Sequence, residues 1–311
     1  VKIGFLFIHF KQKKVMVRLF KSSLLGILTV IVLTTVVFGQ AAKKGPRIKT
    51  IIIDAGHGGA EPGARGAYST ESQITLAIAK RLDTLLRSEM PTTRIVMTRE
   101  TDVFHSVTEK ANIANRENGD LFICIHVNAA PPKKYVTGYK NVTYYTGKGS
   151  KRRKHTKRQP IYGSNPNPMY GSSTYVWAAD RSDNKAAGIV NDERFETEAE
   201  VADVPDPQSP EAIIKARLWT QKFFSNSVRL ATMVENEFTN IGRRSLGVLQ
   251  RNWKGIWVLQ ATNMPAILIE TGYITNREEE DYLNSDAGQI EMTRAIANAI
   301  LAYKQQVDGG K

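Results

Sequence analysis

Apolar positions recur along the chain with two periods, and their alternation sketches a fold. Thr50–Asp54 is a short β-branched run closed by glycines, which predicts a buried strand. Glu71–Ser88 carries Ile74, Ile78, Ala79 and Leu82 at helical spacing. Arg94–Thr98 predicts a second strand, and Val107–Asn118 a helix with Ala111, Ile113 and Ala114 turned inward. Leu121–Val127 is a third buried strand, and Tyr139–Tyr145 alternates like a fourth. From Gly147 to Pro210 the pattern dissolves, so residues 147–209 are expected to form an irregular insertion, basic at first and then acidic. Pro210 suits the first turn of a helix running to about Phe238. Ile256–Gln260 and Ala266–Ile269 predict strands, Asn276 caps a short helix reaching Leu283, and Ala287–Lys304 predicts a closing helix.

Strands alternating with helices give the α/β class: a largely parallel central sheet flanked by helices on both faces. We expect one catalytic domain over residues 49–306, preceded by a linker at 41–48. Ligands of such sheets gather at the carboxyl ends of the strands. Three apolar runs end there on a polar residue: His57 just past Ile51–Gly56, His126 after Leu121–Ile125, and Glu270 after Ala266–Ile269. Glu71 opens the first helix.

Taken singly, each has an ordinary explanation. A histidine in a glycine turn often binds nothing, and a glutamate in a first helical turn is favoured by the helix dipole. Glu270 is harder to account for, because a carboxylate ending an apolar strand is costly unless a cation or hydrogen bonds hold it. Taken together, two imidazoles and a carboxylate (His57, His126, Glu71) make a three-ligand Zn²⁺ set with a position left for water. Glu270 beside that water would move protons during hydrolysis. The chain therefore reads as a zinc hydrolase with one Zn²⁺.

Composition changes this picture in two places. The chain has 311 residues and 41% hydrophobic content, enough for a sizeable core. Leu24–Phe38 is an uncharged apolar run preceded by Arg18 and Lys21 and followed by small residues, which reads as a secretory signal peptide within residues 1–40. The alternative is an uncleaved membrane anchor, for which the run is short. Met16 would give a signal peptide of ordinary length. The expected location is then the periplasm or cell envelope. The single cysteine, Cys124, excludes an intrachain disulfide and is expected to be a buried thiol. The net charge of +13 draws in part on Lys148–Arg158, which has seven lysines and arginines and no acid. Charge alone would suggest nucleic acid. In an exported protein, anionic envelope polymers or lipid headgroups are the better expectation, and a solvated loop is the plain alternative.

The motifs resemble a known family, the zinc-dependent N-acetylmuramoyl-L-alanine amidases of the bacterial cell-division type. The resemblance runs through Ile53–Gly59, Gly63–Gly66, Glu71 ahead of Leu76–Leu82, Thr98-Arg99, Ala111–Asn115, Asp120–Ala129 and Met264–Asn276. It implies that His57, Glu71 and His126 bind zinc and that Glu270 is the catalytic glutamate. It also implies a peptidoglycan substrate, cleaved at the amide between N-acetylmuramic acid and L-alanine, in wall remodelling and daughter-cell separation. Asp54 and Asn128 are expected, from sequence proximity alone, to orient the histidines. Division amidases of this kind often carry a helix that covers the zinc until a protein activator displaces it. The acidic stretch with Glu193, Glu196, Glu198 and Glu200 stands where such a plug would form. Competing readings are a zinc peptidase acting on the stem peptide and a non-catalytic wall-binding regulator on the same scaffold.

Overall fold

A computed structural model describes residues 48–177, 210–251 and 255–309. Six strands form one sheet: β1 (Thr50–Ala55), β2 (Arg94–Met97), β3 (Leu121–Asn128), β6 (Ser172–Val176), β7 (Ser245–Gln250) and β8 (Ala266–Tyr273), in the order β2-β1-β3-β8-β6-β7. The first four run parallel to one another. β6 is antiparallel to β8 and parallel to β7. The helices are α1 (Glu71–Glu89), α2 (Val107–Arg116), α3 (Pro210–Asn240), α4 (Trp257–Ala261), α5 (Arg277–Asn284) and α6 (Asp286–Asp308). The expected α/β class is the observed one.

All six residues of β1 and all eight of β8 are buried. A parallel strand covered on both faces has no polar side to show, which is why these runs read as continuously apolar. Ile52, Phe122, Cys124, Ala266 and Leu268 pack with Ala111 and Ala114 of α2, Val258 and Leu259 of α4, and Trp177. The alternate positions Ile51, Ile53, Ile123 and Ile125 are fully buried, and α1 lies against β1 and β3. Cys124 is buried, and burial pushes its thiol well above the usual range.

Several elements differ from the sequence expectation. Tyr139–Tyr145 belongs not to the central sheet but to β4 (Lys133–Thr146), a fourteen-residue strand paired antiparallel with β5 (Arg153–Asn165). The insertion expected to be irregular from 147 therefore begins as the second half of a long hairpin. Lys148–Arg158 lies at its tip and along β5, with a 3₁₀ turn at Gly149–Lys151. Ile256–Gln260 is not a strand but falls largely in α4, since a five-residue apolar run fits either period. The strand β7 carries no strand signal in the sequence, because it opens on Ser245 and contains Gly247 at φ 86°. No helix among the described residues is long and apolar enough to cross a membrane. The segment expected to be a leader and the acidic stretch with Glu193, Glu196, Glu198 and Glu200 lie outside the described residues.

Candidate active site

His57 sits just beyond the carboxyl end of β1, in a turn where Gly56 N–H donates to Ile125 O. Its backbone is left-handed, at φ 60°, a conformation that non-glycine residues adopt rarely. The turn is held from beneath by two buried cations. Arg99 Nε donates to Ala55 O at 3.0 Å, and its Nη2 to Gly56 O at 3.0 Å and Ser72 O at 2.9 Å. Lys110 Nζ donates to Ala55 O at 2.8 Å. Thr75 Oγ1 adds a second donor to Gly56 O at 2.8 Å.

Glu71 opens α1 behind the cap residue Thr70, whose N–H donates to the Gln73 side chain. The loop before it is fixed from the far side by Glu280. That buried carboxylate accepts the N–H groups of Ala67, Tyr68 and Ser69. Burial raises the carboxyl, but these donors and Ser69 Oγ outweigh it, and its pKa is lowered. His126 is the sixth residue of β3, with Glu270 of β8 as its neighbour in register.

The sheet and α1 thus bring three of the four residues into one cluster. One donor atom from each of His57, Glu71 and His126 lies within 4.8 Å of the others. The two rings meet edge to face with centroids 4.9 Å apart. Glu71 Oε2 stands 3.1 Å from His57 Nε2, and Oε1 stands 2.8 Å from His126 Nδ1. Its oxygens also accept Ala64 N–H at 2.9 Å and Val127 N–H at 3.0 Å. Burial pushes the Glu71 carboxyl up, but His126 and His57 outweigh it and hold the group ionised, far below the usual range. For His57, burial lowers the pKa, yet Glu71 and Glu61 outweigh it and raise the imidazole above its ordinary value.

Glycines leave the room this cluster needs. A Cβ on Gly56 would come within 2.6 Å of the His126 ring, and one on Gly63 within 2.6 Å of both Glu71 Oε2 and His57 Cδ2. Glu270, 7% exposed, has its Oε2 buried with no hydrogen-bond partner among the described residues. Burial is the main reason its pKa rises to about 7. Two imidazoles and a carboxylate on converging elements are a donor set suited to a divalent cation, and a buried carboxylate with a bare oxygen stands next to it.

The hydrogen bonds of Asp54 and Asn128, the residues expected to orient the histidines, go to other groups. Asp54 accepts from Lys110 Nζ at 2.9 Å, from Thr98 Oγ1 and from Cys124 Sγ at 3.0 Å, with no contact to either histidine. Asp54 lies within β1, with its carboxylate taken up by Lys110, Thr98 and Cys124, whereas His57 stands in the turn beyond the end of the strand. Asn128 Oδ1 accepts the N–H of Ala129. The orienting group is Glu61, whose Oε1 lies 2.9 Å from His57 Nδ1. Its signal was a carboxylate four residues beyond a histidine within one glycine-rich turn.

Known proteins share this frame. AmiC of Escherichia coli, an N-acetylmuramoyl-L-alanine amidase, is 26% identical over 274 residues, covering 85% of this chain and 54% of its own length. AmiA of Escherichia coli is 25% identical over 279 residues, covering 87% of this chain and 81% of its own. The chain therefore spans only about half of the first relative. The solved structure of the N-acetylmuramoyl-L-alanine amidase AmiC2 of Nostoc punctiforme matches with a TM-score of 0.51 at 25% identity, over 84% of this chain and 99% of that one. Residues 51–302, which hold the whole cluster, match the family model Amidase_3, N-acetylmuramoyl-L-alanine amidase, and the chain belongs to that family.

Proposed function

We propose that this chain is an exported Zn²⁺ hydrolase that cleaves the amide between N-acetylmuramic acid and L-alanine in peptidoglycan. The observation that carries the reading is the His57, Glu71, His126 cluster with the unpartnered Glu270 oxygen beside it. His57, Glu71 and His126 would hold the metal. A bound Zn²⁺ supplies Lewis-acid polarisation of the amide carbonyl and acidifies a water. A hydrogen bond from His57 Nδ1–H to Glu61 would turn Nε2 toward the metal. Glu270 takes the proton of the attacking water and delivers it to the departing nitrogen. Its Oε2, buried and without a hydrogen-bond partner among the described residues, is open to take that proton.

Export rests on the Leu24–Phe38 run, and a role in daughter-cell separation rests on the resemblance to division amidases. The acidic stretch of Glu193, Glu196, Glu198 and Glu200 stays the proposed removable plug, released by a protein activator of the division machinery. Mass analysis of digested purified wall tests the reaction. Free stem peptides with an alanine amino terminus, and glycan strands left intact, are expected. Shortened stems still attached to glycan would instead identify a stem peptidase.

A further inference from the structure

The β4–β5 hairpin leaves the domain as a two-stranded ribbon exposed along both strands. At about 3.3 Å per residue its arms reach roughly 40 Å. Residues 133–165 contain ten lysines and arginines, five tyrosines and no aspartate or glutamate. Among the described residues, none of these cations is paired with a carboxylate. Edge strands often carry lysine to discourage pairing with other chains. That need explains some of the charge. It explains neither the complete lack of acids nor the tyrosines.

The tyrosines and cations are interleaved on both faces. The register pairs Tyr145 with Lys154 and Asn141 with Arg158 on one face, and Tyr144 with His155 and Val142 with Lys157 on the other. Arg158 lies over the Tyr139 ring at 4.0 Å and Arg152 over Tyr145 at 4.1 Å, while Tyr144 stacks on His155 at 5.2 Å. A guanidinium resting on a ring keeps its planar N–H fork available to an oxyanion. Exposed tyrosine gives a flat apolar face with a polar tip, which suits the face of a sugar ring. The tip, Gly147–Arg153, has no apolar side chain to enter a bilayer.

Both ends of the ribbon join strands of the active site. β4 begins seven residues after His126, and β5 leads into β6, whose Ser173 is the register neighbour of Glu270. We infer that the hairpin is a docking arm for the peptidoglycan itself, holding it by its stem-peptide carboxylates and its sugar faces, and feeding it to the adjacent site. This rests on the peptidoglycan reading above. It adds a substrate-binding surface separate from the chemistry. Tethering the polymer at the rim raises the local concentration of scissile bonds.

The test uses the full chain in two variants, Lys151→Glu/Arg152→Glu/Arg153→Glu/Lys154→Glu and Tyr139→Ser/Tyr145→Ser. Each is measured for co-sedimentation with purified insoluble peptidoglycan and for cleavage of a small soluble muramyl peptide. The charge variant is expected to lose about tenfold in wall binding at low salt, with the difference fading as salt rises. The tyrosine variant is expected to lose severalfold at any salt, and both are expected to keep soluble-substrate turnover. Wall stripped of phosphodiester polymers is expected to be bound as well as untreated wall; binding lost on stripping overturns the inference. Unchanged wall binding in both variants overturns the inference. So does a loss confined to DNA or to anionic phosphatidylglycerol vesicles. If the unaltered chain leaves the soluble muramyl peptide uncut, the amidase reading fails, and the wall-binding comparison still decides the arm.

Discussion

The site cluster and the β4–β5 hairpin are separated by a few residues of chain, yet they are built on opposite terms. The cluster sits on strands buried on both faces, and every backbone turn near it is tied down. Arg99, Lys110 and Thr75 hold the His57 turn, and Glu280 holds the loop before α1. The hairpin has no core of its own, and an isolated two-stranded ribbon is marginal in water. Chemistry that needs atoms held within a fraction of an ångström is placed on the first kind of scaffold. A surface that must follow a long, irregular polymer is better served by the second. The comparison predicts that single changes around the cluster cost much and that removing most of the ribbon costs the domain little.

The largest expected effect is at Glu270. Glu270→Ala should lower turnover by about 10²–10⁴-fold while one zinc per chain is retained, read by kinetics and metal analysis. Near-normal turnover, or loss of zinc, would remove Glu270 from the proton-transfer role. Next comes the buried pair beneath the site. Lys110→Met leaves the buried Asp54 carboxyl without its cation, and denaturant unfolding should show a loss of about 3–5 kcal/mol.

The same pair predicts an acid limit. Burial raises the Asp54 carboxyl, but Lys110, Cys124 and Thr98 outweigh it and hold its pKa below the ordinary value. The unfolded chain therefore takes up this proton first as the pH falls. Its contribution is complete well above about pH 4 and is lost as the pH drops through the lower folded value. In Lys110→Met this part of the acid dependence should disappear or reverse, which unfolding midpoints across pH will show.

A smaller effect is expected at Glu61. Glu61→Ala frees His57 Nδ1 and should weaken zinc binding by about 10–100-fold in a competition titration, with the fold intact. Smallest of all, excising Tyr139–Pro160 and closing the ribbon with an Asn-Gly turn should change unfolding stability by less than about 1 kcal/mol. A large loss would show that the ribbon is part of the folding unit.

The contrast between the regions also explains what could be read from sequence. His57, His126 and Glu270 were legible because each interrupts a long apolar run at the point where a parallel strand ends. Glu71 was legible as the head of an amphipathic helix. The supporting residues were not. Asp54 was assigned by adjacency to a histidine that its side chain does not touch, and Glu61 was passed over in a turn rich in glycine. The second arm of the hairpin was read as irregular for the reason that makes it exposed. With neither face buried, β5 has no alternation of apolar and polar residues, and its lysines, Pro160 and Gly163 read as loop.

The central claim is that this cluster is a metal-dependent amide-hydrolysing centre. Its most direct test is digestion of purified peptidoglycan by the chain before chelation, after complete removal of metal, and after one equivalent of Zn²⁺ is returned, with bound metal and released stem peptide measured in the same samples. The account predicts that release stops when the metal is gone and returns in proportion to zinc bound, up to one per chain. Full release by the metal-free chain would contradict it.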